Sequence, residues 1–253
     1  MNDPPHSTFP PILAARRITS PAHPFDAAVE GAGRGELRAA DALWSDAGGR
    51  AELAIVLEPE VAVEISREIA AVMFLAVADS LGALLPPQSS VFLRWPNTIL
   101  LNLGDVGRIA LEIERTPDER PPDWLVIGVS VQFGTLTERR EPGELVDRTA
   151  IADEGGAEIA PLTFLHSVAA HFLVRLDQWQ QRGLASFERY LAERIEGFDA
   201  PVLIGRERDG FVGQVKGVEA GMVLRVQPVV GEEHRLQPDV SRAGPARATA
   251  GPA

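Results

Sequence analysis

Apolar residues recur with two periods along the chain, and the switches between them mark out the elements. Glu52–Leu57 is an apolar, β-branched run closed by Glu58-Pro59-Glu60 and predicts a strand. From Val61 to Leu81 the period becomes helical, with Ile65, Ile69, Val72, Met73, Ala76, Val77 and Ser80 on one face. Glu64, Arg67 and Glu68 fall opposite, which predicts an amphipathic helix packed on a sheet, ended by Gly82 and Pro86-Pro87. Strand patterning returns at Val91–Trp95, Thr98–Leu101 and Val106–Glu114, with a tight turn over residues 102–105. Trp124–Phe133 is almost continuously apolar, as in a central strand buried on both faces. An acidic loop region, 134–160, precedes two helices at Leu162–Gln181 and Leu184–Ile195. After Gly197-Phe198-Asp199-Ala200-Pro201, residues 202–236 alternate apolar and polar with glycine at each turn, which suits a small barrel.

Four segments follow from this pattern. Residues 1–24 form a Pro-rich arm whose Phe9, Ile12 and Leu13 can dock, 25–197 a main domain, 198–238 the small barrel, and 239–253 a disordered tail. Between Phe25 and Trp44 the stretch Gly31-Ala32-Gly33-Arg34-Gly35 reads as a Gly-rich turn, able to offer N–H groups to a phosphate or to serve as a surface loop.

Composition narrows the function classes. The 253 residues carry a formal net charge of −12, which argues against nucleic acid as a partner. No apolar run reaches the ~18 residues of a membrane span, and no secretory signal is visible, so a cytoplasmic protein is expected. Cysteine is absent, which removes thiol nucleophiles, disulfides and cysteine metal sites, and no metal site is expected. Lys216 is the only lysine, so a lysine-dependent mechanism has one candidate. His166 and His171 lie five residues apart, off the spacing of a helical zinc pair, and read as core or solvent-facing residues.

The stretch Arg94-Trp95-Pro96-Asn97-Thr98, with the hairpin that runs on to Glu112, resembles the KWPND segment of biotin protein ligases. Four further stretches resemble that family, and more distantly lipoate-protein ligases, in the same order. Ala51–Glu60 is similar to the strand that follows their nucleotide loop, and Leu125–Phe133 to their GIGINV strand. Arg148–Gly155 is similar to the segment leading into the late helices, and Gly213–Leu224 to their C-terminal SH3-like barrel. The resemblance implies an α/β (α+β) fold: a mixed sheet flanked by helices, plus a small C-terminal SH3-like β-barrel. It implies ATP with Mg as cofactor, biotin or lipoate as the carboxylic acid activated, and a carrier-protein lysine as acceptor. It leaves the acid unspecified and a homodimer open.

Carried over residue by residue, Arg94 stands for the Lys of KWPND, and Trp95, Pro96 and Asn97 match. The active-site lysine aligns with Asp105, and Gly107 and Arg108 occupy the Ala-Gly positions after it. Arg94 and Arg108 are therefore the candidate catalytic cations, although strict alternation aims Arg108 away from the Asp105 face unless a one-residue bulge intervenes. The candidate binding residues are Gly33, Arg34 and Gly35 of the loop, Trp95, Pro96, Asn97 and Gly107 of the hairpin, and Gly128, Ser130 and Gln132 of the buried strand. Trp95-Pro96 reads equally as a packing corner, and Asn102 as a residue holding its turn. Two functions stand: an ATP-dependent biotin- or lipoate-type ligase using arginines, or an inactive relative that binds an acid, an adenylate or a carrier domain. An octanoyltransferase is disfavoured, since it needs a cysteine or lysine in the site.

Overall fold

The computed structural model describes residues 8–19, 22–117, 119–136, 148–205 and 210–238. One sheet holds seven strands: β1 (Ala14–Arg17), β2 (Asp41–Ser45), β3 (Arg50–Leu57), β4 (Val91–Arg94), β5 (Thr98–Leu101), β6 (Gly104–Ile113) and β7 (Leu125–Gln132). Their spatial order is β1-β2-β3-β7-β6-β5-β4, antiparallel throughout except for the parallel pair β1-β2. The mixed α/β class expected from the sequence is the one observed.

Alternation along the central strands divides the sheet into two faces. Leu125, Ile127, Val129 and Val131 of β7 join the main core, under α3 (Ile69–Leu84) and α4 (Pro161–Arg182). Val126 packs on the other face with Ala54 and Val56 of β3, under α1 (Pro24–Gly33). Both faces of β7 are thus covered, which is why its sequence is apolar at nearly every position.

Four elements differ from the sequence reading. The expected Gly-rich turn is the second half of α1, started by a proline in the first turn. Gly31 lies within it because a Cβ there would stand 2.7 Å from Leu37 Cγ, and Gly35, at φ 71°, follows the helix end. The expected single helix 61–81 is broken into α2 (Val63–Ser66) and α3, and α3 is enclosed rather than amphipathic. Its last polar face is spent inward: Ser80 donates to the Ala76 carbonyl at 2.7 Å and lies 3.1 Å from His171 Nδ1. The arm is less loose than expected, because residues 14–17 add the edge strand β1. Leu13 is buried and Phe9 meets His166 edge-on with centroids 4.5 Å apart, whereas Ile12 faces solvent.

After α4 the expected second helix is reduced to α5 (Glu188–Ala192) behind a 3₁₀ turn at Leu184–Ser186. A separate antiparallel sheet follows, β8 (Val202–Ile204), β9 (Phe211–Glu219), β10 (Val223–Pro228) and β11 (His234–Leu236), in the order β11-β10-β9-β8. Glu68, expected on a solvent face, is 3 % exposed. Its Oε2 accepts from Trp179 Nε1 at 2.6 Å and its Oε1 from the Gly221 N–H at 2.9 Å, tying α4 and the C-terminal sheet to the α2–α3 junction. The acidic region 137–147 and the tail 239–253 lie outside the described residues.

Candidate functional site

Cross-strand pairing builds a single polar row on the α1 face of the large sheet. Ser45 pairs with Glu52, Glu52 with Ser130, Ser130 with Arg108, Arg108 with Thr98, and Thr98 with Arg94. Paired residues point to the same side, so six strands contribute one polar position each to one line. Two residues along on the same face, Arg50 pairs with Gln132. The N-terminal end of α1 borders this row: Phe25 packs on Gly128, and His23 Nδ1 lies 3.5 Å from Glu52 Oε2.

At one end of the row, Arg50 grips β7. Its Nε and Nη2 donate to Ser130 Oγ at 3.0 and 2.8 Å, and its Nη1 donates to Gln132 Oε1 at 3.2 Å. Ser130 in turn donates to Glu52 Oε1 at 3.1 Å, and Gln132 Nε2 to the Gly134 carbonyl at 2.9 Å.

The other end is organised by an irregularity. The β5–β6 register shifts between Ile99 and Leu100: Ile99 faces Gly107, but Leu100 faces Asp105, so Val106 is the extra residue of a bulge. The bulge reverses the parity of β6 and places Asp105 and Arg108, three apart, on one face. Arg108 Nη2 donates to Asp105 Oδ2 at 2.8 Å and its Nη1 to Thr98 Oγ1 at 2.8 Å. Burial pushes the Asp105 carboxyl above its ordinary range, against the opposing pull of Arg108, Arg148 and Arg94 and of the Gly107 N–H. The Asp105 carbonyl also accepts from the Thr149 N–H at 2.9 Å, which brings Arg148 beside the hairpin.

The sequence-predicted residues divide accordingly. Arg94, Arg108, Ser130 and Gln132 share the row's face, and Arg94 also makes a bidentate contact with Glu196 at 2.7 and 3.0 Å. Trp95 packs partly into the core and Asn97 is buried in the turn, its carbonyl accepting from the Ile109 N–H at 2.9 Å. The Trp95–Pro96 peptide is cis. Gly107 is required by packing, because a Cβ there would stand 2.4 Å from the Ser130 carbonyl oxygen. Gly128 makes room for Phe25, whose Cδ2 would be 2.5 Å from an added Cβ.

Gly33, Arg34 and Gly35 are not part of this assembly. They sit at the C-terminal end of α1, about 15 Å along the helix from His23 at 1.5 Å per residue. Arg34 is exposed and donates to Glu30 at 2.5 Å. The connection directly before β3, the strand that the resemblance sets after the nucleotide loop, is the four-residue turn 46–49 with Gly48 and Gly49 at φ 64° and 72°. A loop this short has no span to fold over a triphosphate. Asn102 holds the β5–β6 turn at φ 48°, accepting from the Ser90 N–H at 2.9 Å.

Arg50, Glu52, His23, Thr98 and Arg148 escaped the sequence reading as site residues. Arg50 and Glu52 left a signal: two charged residues at alternate positions at the head of an otherwise apolar strand. Two clefts of about 440 and 450 Å³ lie elsewhere, where α5 and the end of α4 meet β9, and neither includes a residue of the row. Among the described residues, no three His, Asp or Glu side chains gather as a metal site, and no helix is long and apolar enough to cross a membrane.

Comparison with known proteins gives the family and the fold. The family model of the Biotin/lipoate A/B protein ligase family matches residues 9–192. A biotin–[acetyl-CoA-carboxylase] ligase of Paracoccus denitrificans is 27 % identical over 184 residues, covering 72 % of this chain and 76 % of that protein. Among solved structures, a biotin protein ligase-like protein of unknown function from Silicibacter sp. TM1040 superposes with a TM-score of 0.79 at 26 % identity, covering 93 % of this chain and 99 % of its own. The biotin protein ligase of Aquifex aeolicus in complex with biotin and ATP shares the fold, with a TM-score of 0.66 at 16 % identity over 88 % of this chain and 94 % of its own. This chain, with its row of polar side chains across six strands, belongs to the biotin/lipoate A/B protein ligase family.

Proposed function

We propose that this protein is a family member that binds a small carboxylic acid on the polar row without converting it to an adenylate. The observation that carries the reading is Asp105. It stands where the resemblance puts the ligase lysine, it faces the row, and it occupies the Arg108 guanidinium at 2.8 Å. Activation of a carboxylate by ATP brings two anions together, and the attacked phosphorus needs cations free to follow its developing charge. Here an anion replaces one cation and engages another, and the turn 46–49 supplies no loop to cradle phosphates. The residues therefore fit an acid better than they fit ATP with Mg. In this family a carrier-protein domain is the acceptor of such an acid and so the expected partner, and a cytoplasmic location agrees with that partner.

The active-ligase reading keeps one observation in its favour: Arg94, Arg108 and Arg148 all act on Asp105 and so gather at one end of the row. Two measurements separate the readings. Isothermal titration with biotin, lipoate and octanoate is expected to show binding of at least one acid, unaltered by ATP. Incubation with labelled acid, ATP, Mg and an apo-carrier domain is expected to leave the carrier unlabelled. Acyl transfer to the carrier would establish the ligase instead, and a failure of every acid to bind would remove acid recognition altogether.

A further inference from the structure

The strap of residues 194–198, between α5 and the small sheet, is tied to both sheets at once. The Leu93 N–H of the edge strand β4 donates to the Arg194 carbonyl at 2.7 Å, and the Glu196 N–H donates to the Leu93 carbonyl at 2.9 Å. One residue on, the Gly197 carbonyl accepts from the Val215 N–H of β9 at 2.8 Å. The Phe198 carbonyl accepts from Gln214 Nε2 at 2.9 Å. The strap thus closes the β4 edge of the large sheet and carries the chain to the small one. Gly197 sits at φ 97°, and a Cβ there would stand 2.6 Å from Val202 Cγ2, so the exit from the strap is closely packed.

Glu196 joins the strap to the polar row. It accepts from Arg94 Nε at 2.7 Å and from Arg94 Nη2 at 3.0 Å, the paired geometry in which a guanidinium receives any carboxylate. Arg108 is held in turn by Asp105. The two ion pairs differ in what opening them moves. Asp105 and Arg108 belong to β6, which is laddered to β5 on one side and β7 on the other. Arg94 and Glu196 lie 102 residues apart on different segments. Their side chains are 48 % and 22 % exposed, against 27 % and 18 % for Arg108 and Asp105. A carboxylate arriving from solvent therefore meets Arg94 first and opens its pair at the lower desolvation cost.

On the reading that the row binds an acid, we infer that Glu196 is an internal competitor for Arg94. Its carboxylate holds the guanidinium until that of an incoming acid replaces it, and the replacement loosens the strap that carries the small sheet. The exchange is charge for charge, so neither state leaves the guanidinium without an anion. Occupancy of the row and attachment of the strap depend on the same cation, so each weakens the other by the same factor. Two charge-assisted hydrogen bonds raise that factor above the effect of a single surface contact, and exposure of the pair limits it to about three- to tenfold.

The test uses the full chain, with octanoate, lipoate and biotin as probes and two readouts. In calorimetric titration, Glu196→Gln should bind the tightest of these acids about three- to tenfold more tightly than the wild type does, because its amide keeps one acceptor oxygen and loses the charge. In hydrogen exchange, the Glu196 and Val215 N–H groups of the wild type should exchange about threefold or more faster under saturating acid. In Glu196→Gln they should exchange fast without acid, and acid should add little. The wild-type exchange carries the test by itself if the variant does not fold. Arg94→Gln supplies the remaining arm: adding Glu196→Gln to it should bring no further gain in affinity. Equal or weaker acid binding by Glu196→Gln, or exchange that acid does not move, would show that Glu196 orients Arg94 instead of withholding it, and would leave acid recognition standing. Binding of none of the three acids to either protein would overturn both.

Discussion

Asp105 and Arg108 form an ion pair of 2.8 Å between residues three apart on a β-strand, a spacing that regular alternation would send to opposite faces. The bulge at Val106 makes the pair. Neither member is fully buried, so the pair is worth modestly more than a surface bridge, and its removal leaves Asp105 desolvated. Arg108→Ala should lower stability by about 1–3 kcal/mol. Arg108→Ala combined with Asp105→Asn should recover part of that loss, as read from a double-mutant cycle in urea. Strictly additive effects would show that the pair does not interact.

The raised Asp105 pKa has a defined signature in pH. A carboxyl whose folded pKa lies above its unfolded value of about 3.8 holds its proton more tightly in the folded state. Its contribution to stability is complete below that value and is lost as pH rises through the raised folded pKa. Urea midpoints of the wild type, compared with those of Asp105→Asn, should therefore fall across this window as pH increases. Asp105→Asn carries no proton to lose. A difference that rises with pH would mean that the three arginines outweigh burial.

His166 titrates with the opposite consequence. Burial lowers its pKa from 6.5, so the folded state resists protonation. The stability it contributes is complete above about 6.5 and is lost as pH falls through the depressed folded value. The edge-on contact with Phe9 couples that loss to the chain before β1. His166→Gln should flatten the stability profile as pH falls below about 6.5, measured by thermal melts at fixed ionic strength. An unchanged slope would assign the acid sensitivity elsewhere.

Much of this architecture is legible in the residues themselves. β7 and α4 declare their type because β7 is apolar on both faces and α4 keeps a single stripe through Leu165, Val168, Ala169, Phe172 and Trp179. α1 is hidden by its own composition, since Gly31 and Gly33 signal a turn while the proline at its start and its alanines build a helix. β1 is hidden because Arg16 and Arg17 mask a short edge strand made by pairing to β2. The site was half legible. The resemblance singles out Arg94, Ser130 and Gln132, which strand pairing sets on one face, but the side taken by Arg108 depends on a bulge that no periodicity announces. Arg50 and Glu52 become neighbours of Ser130 only through a pairing across some 80 residues of sequence.

Two glycines of the site should respond differently to a methyl group. Gly107→Ala sets a Cβ 2.4 Å from the backbone oxygen of Ser130 and 3.0 Å from Val131 Cα, atoms fixed by the β6–β7 ladder. It should cost about 2–3 kcal/mol and disturb acid binding through the bulge. At Gly128 the crowding atoms are Cδ2, Cγ and Cβ of Phe25, at 2.5, 3.3 and 3.4 Å, a side chain rather than backbone. Gly128→Ala should therefore be milder, about 1 kcal/mol, and should act on the α1 end of the row. Equal losses in urea denaturation would contradict this reading of the two contacts.

Glu68 carries the last prediction. Its two carboxylate oxygens accept from donors on two other parts of the molecule, the indole of Trp179 and the backbone N–H of Gly221. Gly221 cannot be moved to compensate, because it lies at φ 68° with Glu64 Cγ 3.0 Å from where a Cβ would be. Glu68→Ala leaves both donors without their partner and opens a cavity, which should cost about 3–4 kcal/mol. Glu68→Gln keeps one acceptor oxygen but turns an amide NH₂ toward the other donor, so it should lie between the wild type and Glu68→Ala. If the contact holds the C-terminal sheet in place, Glu68→Ala should also expose the 193–201 connection to limited proteolysis at denaturant concentrations where the large sheet is still folded. A variant that unfolds in one cooperative step, with no earlier cleavage there, would show that Glu68 stabilises the whole chain without governing the junction.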